Sequence, residues 1–389
     1  MIDAFSKQTN LNGCFLRILW MRLGVLPIAL VFVPVVGAAS GEGWRKTWEV
    51  VVAAAEKEGS VTVAHGGTAS PDMGRAFREG FQKSYPNIQV NLTIAGGRSI
   101  APRMLMERRV GRYLWDVYIG GTTTALAYLV PAGILDPIQP ALILPEVLDM
   151  QNWLGGKLDF ADNAETLSLV FGSLLIAPVA YNTNLVKGEE IKSHWDFLDP
   201  KWRGKLVMFD PRRPGIGLAT VTFWYNNPKL GKDFIGRLFT EQDISFIQDS
   251  RQVIERVARG EQWATLGVSP AFYESLKAQG LPLDLRSADD LKEGSYVTAG
   301  VGNLGLVNRA PHPNAAKVYI NWLLSKEGQT VWSRASQYPS RRLDVPYDHL
   351  NPANVAKKDK LSLYQSNYQE SFVDQRTEIL KFLAGVIKR

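Results

Sequence analysis

Cysteine is nearly missing from this 389-residue chain: Cys14 stands alone, and a single thiol can neither close an intrachain disulfide nor build a cysteine-rich metal cluster. Histidine is scarce too. His65, His194, His312 and His349 lie apart, outside any His-x-x-x-His or carboxylate-spaced ligand set. The 44 Lys and Arg against 38 Asp and Glu leave a net +6, dispersed along the chain, without the basic stripe and interleaved aromatics that nucleic-acid binding requires. No internal repeat of fixed period and no low-complexity linker occur, and no apolar run reaches the roughly 20 residues that cross a bilayer.

What the chain does contain is 46% hydrophobic residues over a length that exceeds what one core usually organises, so two lobes are expected. The apolar stretch 23–36 follows Arg17 and Arg22 and precedes Gly37-Ala38-Ala39-Ser40, the order of a secretory leader. Residues 1–40 are therefore expected to be a signal peptide removed on export to the periplasm, with Met21 a candidate start. Cys14 precedes the apolar stretch and so cannot be a lipid-accepting cysteine behind it. Cleavage would remove Lys7, Arg17, Arg22 and Asp3, lowering the net charge from +6 to +4, and would take away the one thiolate nucleophile.

Trp44, Trp48, Val51, Val52 and Ala55 repeat at helical spacing, Gly59 stops the helix, and 61–64 read as a strand. A helix with Met73, Phe77 and Phe81 inward follows, then the strand Ile88-to-Ile94, a helix over 99–110, the strand 116–119 and a helix over 123–132. This alternation predicts a parallel α/β sheet. Proline-rich turns between Pro137 and Pro145 mark a boundary, after which 167–181, 205–209 and 263–268 read as strands of a second α/β lobe. The extended segment 297–307 should bring the chain back to the first lobe.

The first three strands each end in a glycine pair followed by a hydroxyl: Gly66-Gly67-Thr68, Gly96-Gly97 with Ser99, and Gly120-Gly121-Thr122. At the carboxyl edge of an open sheet such turns suit an anion, because backbone N–H groups can come close and helix N-termini carry partial positive charge. Arg98 could add a bidentate grip. The matching turn of the second lobe is 210–217, with Arg212 and Gly215 ahead of a helix; it reads equally well as a solvated basic loop. Gly300-Val301-Gly302-Asn303-Leu304-Gly305 has the G-x-G-x-x-G spacing, but a strand rather than a helix follows, so a dinucleotide site is rejected. Ser269 lacks the glycines of a nucleophile elbow.

Phrases dispersed in one order carry a resemblance: the Tyr85-Pro86 turn, Asp116-Val117, Gly133-Ile134-Leu135-Asp136-Pro137, Tyr181-Asn182-Thr183, Asp199-Pro200-Lys201-Trp202-Arg203-Gly204, and Asn308 through Gln329, with its Pro311 and Pro313, its cap candidates Asn314 and Ser325 and its apolar helix face. Over 59–334 the chain resembles the extracellular solute-binding proteins of ABC importers, in the group that includes the periplasmic iron(III)-binding proteins. The resemblance implies a two-lobed α/β periplasmic-binding-protein fold of class II with a ligand cleft between the lobes. The expected division is 41–147 with 300–335 as the first lobe, 148–299 as the second, and 336–389 as a C-terminal segment packed on both. The iron pattern matches poorly: the nearest positions to its histidine, glutamate and tyrosine pair are Thr68, Gly121 and Phe272-Tyr273, too few hard-oxygen ligands for tight Fe(III) binding.

The resulting expectation is a non-enzymatic, monomeric receptor without cofactor or resident metal. It would capture a small organic or phosphorus-containing anion and deliver it to an inner-membrane ABC permease. The expected ligand contacts are Gly67, Thr68, Arg98, Ser99, Gly121 and Thr122 from the first lobe, with Tyr181, Arg212, Gly215 and Tyr273 from the second. A ferric or ferric-chelate binder is the alternative; a sensor-linked receptor and an enzyme rank below it, since the enzymes on related scaffolds depend on a cysteine.

Overall fold

A computed structural model describes residues 43–67 and 71–387, apart from the side chains of Pro71 and Arg98. The expected leader over 1–40 and the candidate contact Thr68 lie outside the described residues. The first sheet grows from helix–strand units. α1 (Gly43–Glu58) leads into β1 (Ser60–Gly66), α2 (Pro71–Ser84) into β2 (Gln89–Ala95), and α3 (Gly97–Arg109) into β3 (Val117–Gly120). β1 pairs in parallel with both neighbours, and the register sets Gly66 beside Ala95 and Gly120, so the three strands end level. After β3, one α-helical turn, α4 (Thr122–Thr124), runs on as a π-helix over Ala125–Leu129. β4 (Leu135–Asp136), the short α5 (Pro145–Leu148), β5 (Asp159–Phe160) and β6 (Leu169–Val170) come next.

β5 and β6 correct the expected boundary at 148, because both belong to the first sheet. The proline turns send the chain back along the sheet instead of out of it. Only with β7 (Leu174–Leu175) does it leave, entering a five-stranded second sheet at β8 (Val179–Asn182). There β9 (Leu206–Phe209), α6 (Ile216–Asn226), α7 (Gly231–Glu241), β10 (Ser245–Ile247), α8 (Ser250–Ala258), β11 (Ala264–Leu266), α9 (Pro270–Lys277) and β12 (Leu283–Arg286) follow in sequence. β13 (Ser295–Thr298) carries the chain back to β14 (Asn303–Val307) in the first sheet, as 297–307 had indicated. The first sheet is mixed rather than parallel: β14 runs antiparallel to β3, β4 and β6. In the second sheet β9, β10, β11 and β12 all run in one direction, and β8, between β11 and β12, runs antiparallel to both.

The remaining chain ties the two parts together. α10 (Pro313–Leu324) and α11 (Lys326–Ser336) cover the first sheet, where Phe81, Tyr319 and Trp322 meet ring to ring. Each fully buried aromatic of this kind contributes about 1.5–3 kcal/mol. β15 (Tyr364–Ser366) then pairs in parallel with β13, which pairs antiparallel with β7, making a separate three-stranded layer. Beyond α12 (Glu370–Asp374), the C-terminal helix α13 (Arg376–Val386) buries Ile379 and Leu383 in the second core.

The Asn308-to-Gln329 phrase is anchored by two carboxylates. Fully buried Asp116 accepts from the amides of Thr62 (2.7 Å) and His312 (2.8 Å) and from His312 Nδ1 (2.9 Å). The cap of α10 corrects the expectation for Asn314: Glu58, at the end of α1, accepts from the Asn314 and Ala315 amides and from the Asn314 side chain. A carboxylate satisfies orphan amides and the positive helix end at once, which an asparagine cannot. Ser325 caps α11 by accepting from Gly328 N, as expected. Asp116→Ala leaves two half-buried amides and the His312 ring without an acceptor, so urea denaturation should register a loss of about 2 kcal/mol, with Asp116→Asn losing less.

Candidate functional site

Both passages between the sheets start and finish at carboxyl edges. β6 ends at Val170, opposite Asn303, which faces Gly120 at the carboxyl end of β3; β8 begins at Val179, opposite Leu266 at the carboxyl end of β11. The return follows the same rule: β12 ends at Arg286 beside Val179, and β14 starts at Asn303. The segments around β7 and β13 therefore join the turn-rich edge of one sheet to that of the other, and they are hydrogen-bonded to each other through Leu174–Thr298 and Leu175–Val297. A cleft whose walls are these two edges follows from the topology.

On the first edge the glycine turns come together as expected. A Cβ on Gly97 would collide with the Thr124 hydroxyl, so only glycine lets the second and third turns approach this closely. Gly121 lies against the carbonyl of Gly300, where an added Cβ would sit at 3.3 Å. Gly121 caps α4, whose first amides have no acceptor within the helix. Ser99 is exposed in the first turn of α3. Gly67 differs from expectation in one respect: its amide donates to Ala95 O at 3.0 Å, so it extends the strand pairing and is not available to a ligand. Arg98 is placed by its backbone at the start of α3.

Sequence reasoning missed three supporting residues. Buried Asn303 donates to Gly120 O (3.2 Å) and Thr122 Oγ1 (3.0 Å) and thereby fixes the third turn. It belongs to the G-x-G-x-x-G phrase, which runs into the strand β14 rather than a helix, and that phrase was the available signal. Tyr118 lies under the edge and donates to Gly121 O at 3.3 Å; a side chain at Gly66 or Gly120 would strike its ring or hydroxyl. His65, at the end of β1, is fully buried beside Phe77, with neither ring nitrogen hydrogen-bonded.

On the second edge the picture is divided. Gly215 caps α6 at φ +150°, and α6 starts so close to β9 that a Cβ on Gly217 would overlap Phe209 O. Arg212 is already occupied: Asp210 accepts from its Nε and Nη2, both at 2.9 Å, and from its amide. The pair holds the Asp210 carboxyl below its usual pKa, the hydrogen bonds outweighing burial, so Arg212 brings a compensated charge to the edge.

Tyr181 and Tyr273 do not join this edge. Tyr181 is buried, with its hydroxyl 3.4 Å from Asp284 and against Gly188, in the loop beyond the opposite end of β8. Burial first, and then the Asp284 charge, push its pKa up to about 12. Tyr273 packs inward from α9 on Val253, Leu276 and Leu283, and burial likewise raises its pKa. Both were expected as ligand contacts of the second lobe, Tyr273 at the position nearest to the tyrosine pair of the iron-binding proteins. Their side chains are instead taken by the core, since strand alternation and helix rotation turn them away from it.

Residues 76–361 match the family described as bacterial extracellular solute-binding protein. The chain belongs to this family. Two curated relatives of these solute-binding proteins are an uncharacterised Haemophilus influenzae protein, 28% identical over 56% of the chain, and a Salmonella typhimurium periplasmic protein named for 2-aminoethylphosphonate binding, 26% identical over 52%. The matched part spans 60% of the length of each. Among solved structures, Trichodesmium IdiA (FutA) in complex with iron and citrate gives a TM-score of 0.62 at 18% identity, covering 84% of this chain and 99% of that one. The Actinobacillus pleuropneumoniae periplasmic binding protein AfuA, with fructose-6-phosphate bound, gives 0.56 at 19%, covering 84% and 98%. These likenesses establish a two-lobed fold of the kind expected. No described helix is long and apolar enough to cross a membrane.

His65 supplies a pH test of the edge. Burial lowers its pKa from 6.5 to about 4, so the unfolded state takes up a proton first as the pH drops. The stability that neutral His65 allows is complete above pH 6.5 and is lost between there and pH 4. From pH 7 to pH 5 the cost is about 2 kcal/mol, and His65→Leu should flatten that slope in urea titrations at the two pH values.

Proposed function

We propose that this solute-binding protein acts in the periplasm as a monomeric, non-enzymatic receptor. It captures a small organic or phosphorus-containing anion in the cleft and delivers it to an ABC permease. The observation that carries this reading is that both passages between the sheets connect carboxyl edges, so bending at β7 and β13 moves one set of helix-start turns toward the other. A ligand that touches both edges only when they meet favours the closed form by the difference in its affinity for the two states. Ser99, Gly121 and Thr122, with Gly215 opposite, are the proposed polar lining; Thr68 and Arg98 belong to the same turns.

An anion fits because the lining consists of helix-start amides and hydroxyls, and the Asp210 carboxylate on the second edge is already paired with Arg212. The phosphonate in the name of the Salmonella relative and the sugar phosphate bound to AfuA agree in ligand chemistry. Ferric iron is less well served, since Tyr181 and Tyr273 are engaged in the core. Thermal unfolding with 2-aminoethylphosphonate, fructose 6-phosphate, citrate, spermidine, thiamine and ferric citrate decides between these. At 100 times its dissociation constant the right ligand adds about 2.7 kcal/mol of stability. Stabilisation by the phosphorus compounds is expected, and a shift with ferric citrate alone would replace the anion by iron.

A further inference from the structure

Arg376 opens α13, whose Ile379 and Leu383 are buried in the second core, yet its guanidinium crosses to the first lobe. Nη1 donates to Thr123 Oγ1 at 3.1 Å, in the turn that follows β3 and contains the proposed contact Thr122. Glu378, two residues further along α13, is engaged by the Tyr225 hydroxyl and by Lys232. Among the described residues Arg376 has no carboxylate partner, and burial alone displaces its pKa, downward. A half-buried guanidinium that satisfies one of its five donors on a neutral hydroxyl is an uncommon arrangement, because burying an uncompensated charge is costly. The cost is offset when an anion arrives.

We infer that Arg376 is the cationic contact for the anionic group of the captured solute at the Thr122–Thr124 end of the cleft, an inference that rests on the anion reading above. The planar fork suits a phosphonate, phosphate ester or carboxylate bidentately, and the amides at the start of α4 lie on the same turn as its Thr123 partner. The contact also explains why the C-terminal segment runs back to the cleft. It brings a charge that the two edges do not hold uncompensated at Arg212.

Isothermal titration of the full-length mature protein with 2-aminoethylphosphonate, inorganic phosphate and citrate at low and high salt tests this. Arg376→Gln is expected to weaken binding of the preferred anion about tenfold or more and to flatten its salt dependence, with Arg376→Lys intermediate. Thr123→Val removes the hydrogen bond but keeps the charge, and is expected to cost about threefold or less. Wild-type-like affinity in Arg376→Gln would overturn the inference while leaving the anion reading intact. Equal losses in Arg376→Gln and Thr123→Val with an unchanged salt slope would overturn it too, reducing Arg376 to a tether between lobes. Failure of wild type to bind any of the three anions removes the anion reading itself, and this inference with it.

Discussion

The antiparallel pairing of β14 with β3 is the contact on which the architecture turns. Asn303 faces Gly120 there, so the chain re-enters the first sheet at the end where β1, β2 and β3 finish. Had it returned at the opposite end, the glycine turns and the passage to the second sheet would lie on different sides of the molecule. Asn303 gives that register a chemical lock, because its amide reaches both the Gly120 carbonyl and the Thr122 hydroxyl from a buried position. One side chain thus sets the strand pairing and shapes the turn.

Elsewhere the molecule uses carboxylates, buried or half-buried, to fix geometry. Asp116 and Glu58 fix the entry to α10. Glu293 does comparable work in the second lobe, accepting from Ser193 Oγ (2.7 Å) and the His194 amide (2.9 Å). Hydrogen bonds from His194 and Ser193, stronger together than the effect of burial, hold its pKa down to about 2. Such bonds place loop segments that have no strand pairing of their own, and at the second edge Asp210 and Asp249 likewise accept from amides of their own turns.

Much of the fold was legible because its signals are local. Helical spacing of Met73, Phe77 and Phe81, alternation through Val90 and the stop at Gly59 each report on a few neighbouring residues, and the described elements follow them. The boundary between lobes was not, because two-residue strands such as β5 and β6 carry no period: β6 joins the sheet through β14, more than 130 residues away, and β5 joins it only through β6. The same contrast separates the candidate contacts. Glycine doublets after strands could be read from order alone, whereas the inward rotation of Tyr181 and Tyr273, the sequestration of Arg212 by Asp210 and the reach of Arg376 depend on side-chain directions that only tertiary packing decides.

The three-stranded layer of β7, β13 and β15 has a mechanical consequence. Each connecting strand is held by ladder hydrogen bonds to a neighbour, so one cannot be displaced from the other without breaking them. β15 broadens what would otherwise be a pair of connecting strands. Any change in the angle between the two sheets must therefore be taken up in or beside this one layer, because both passages between them run through it.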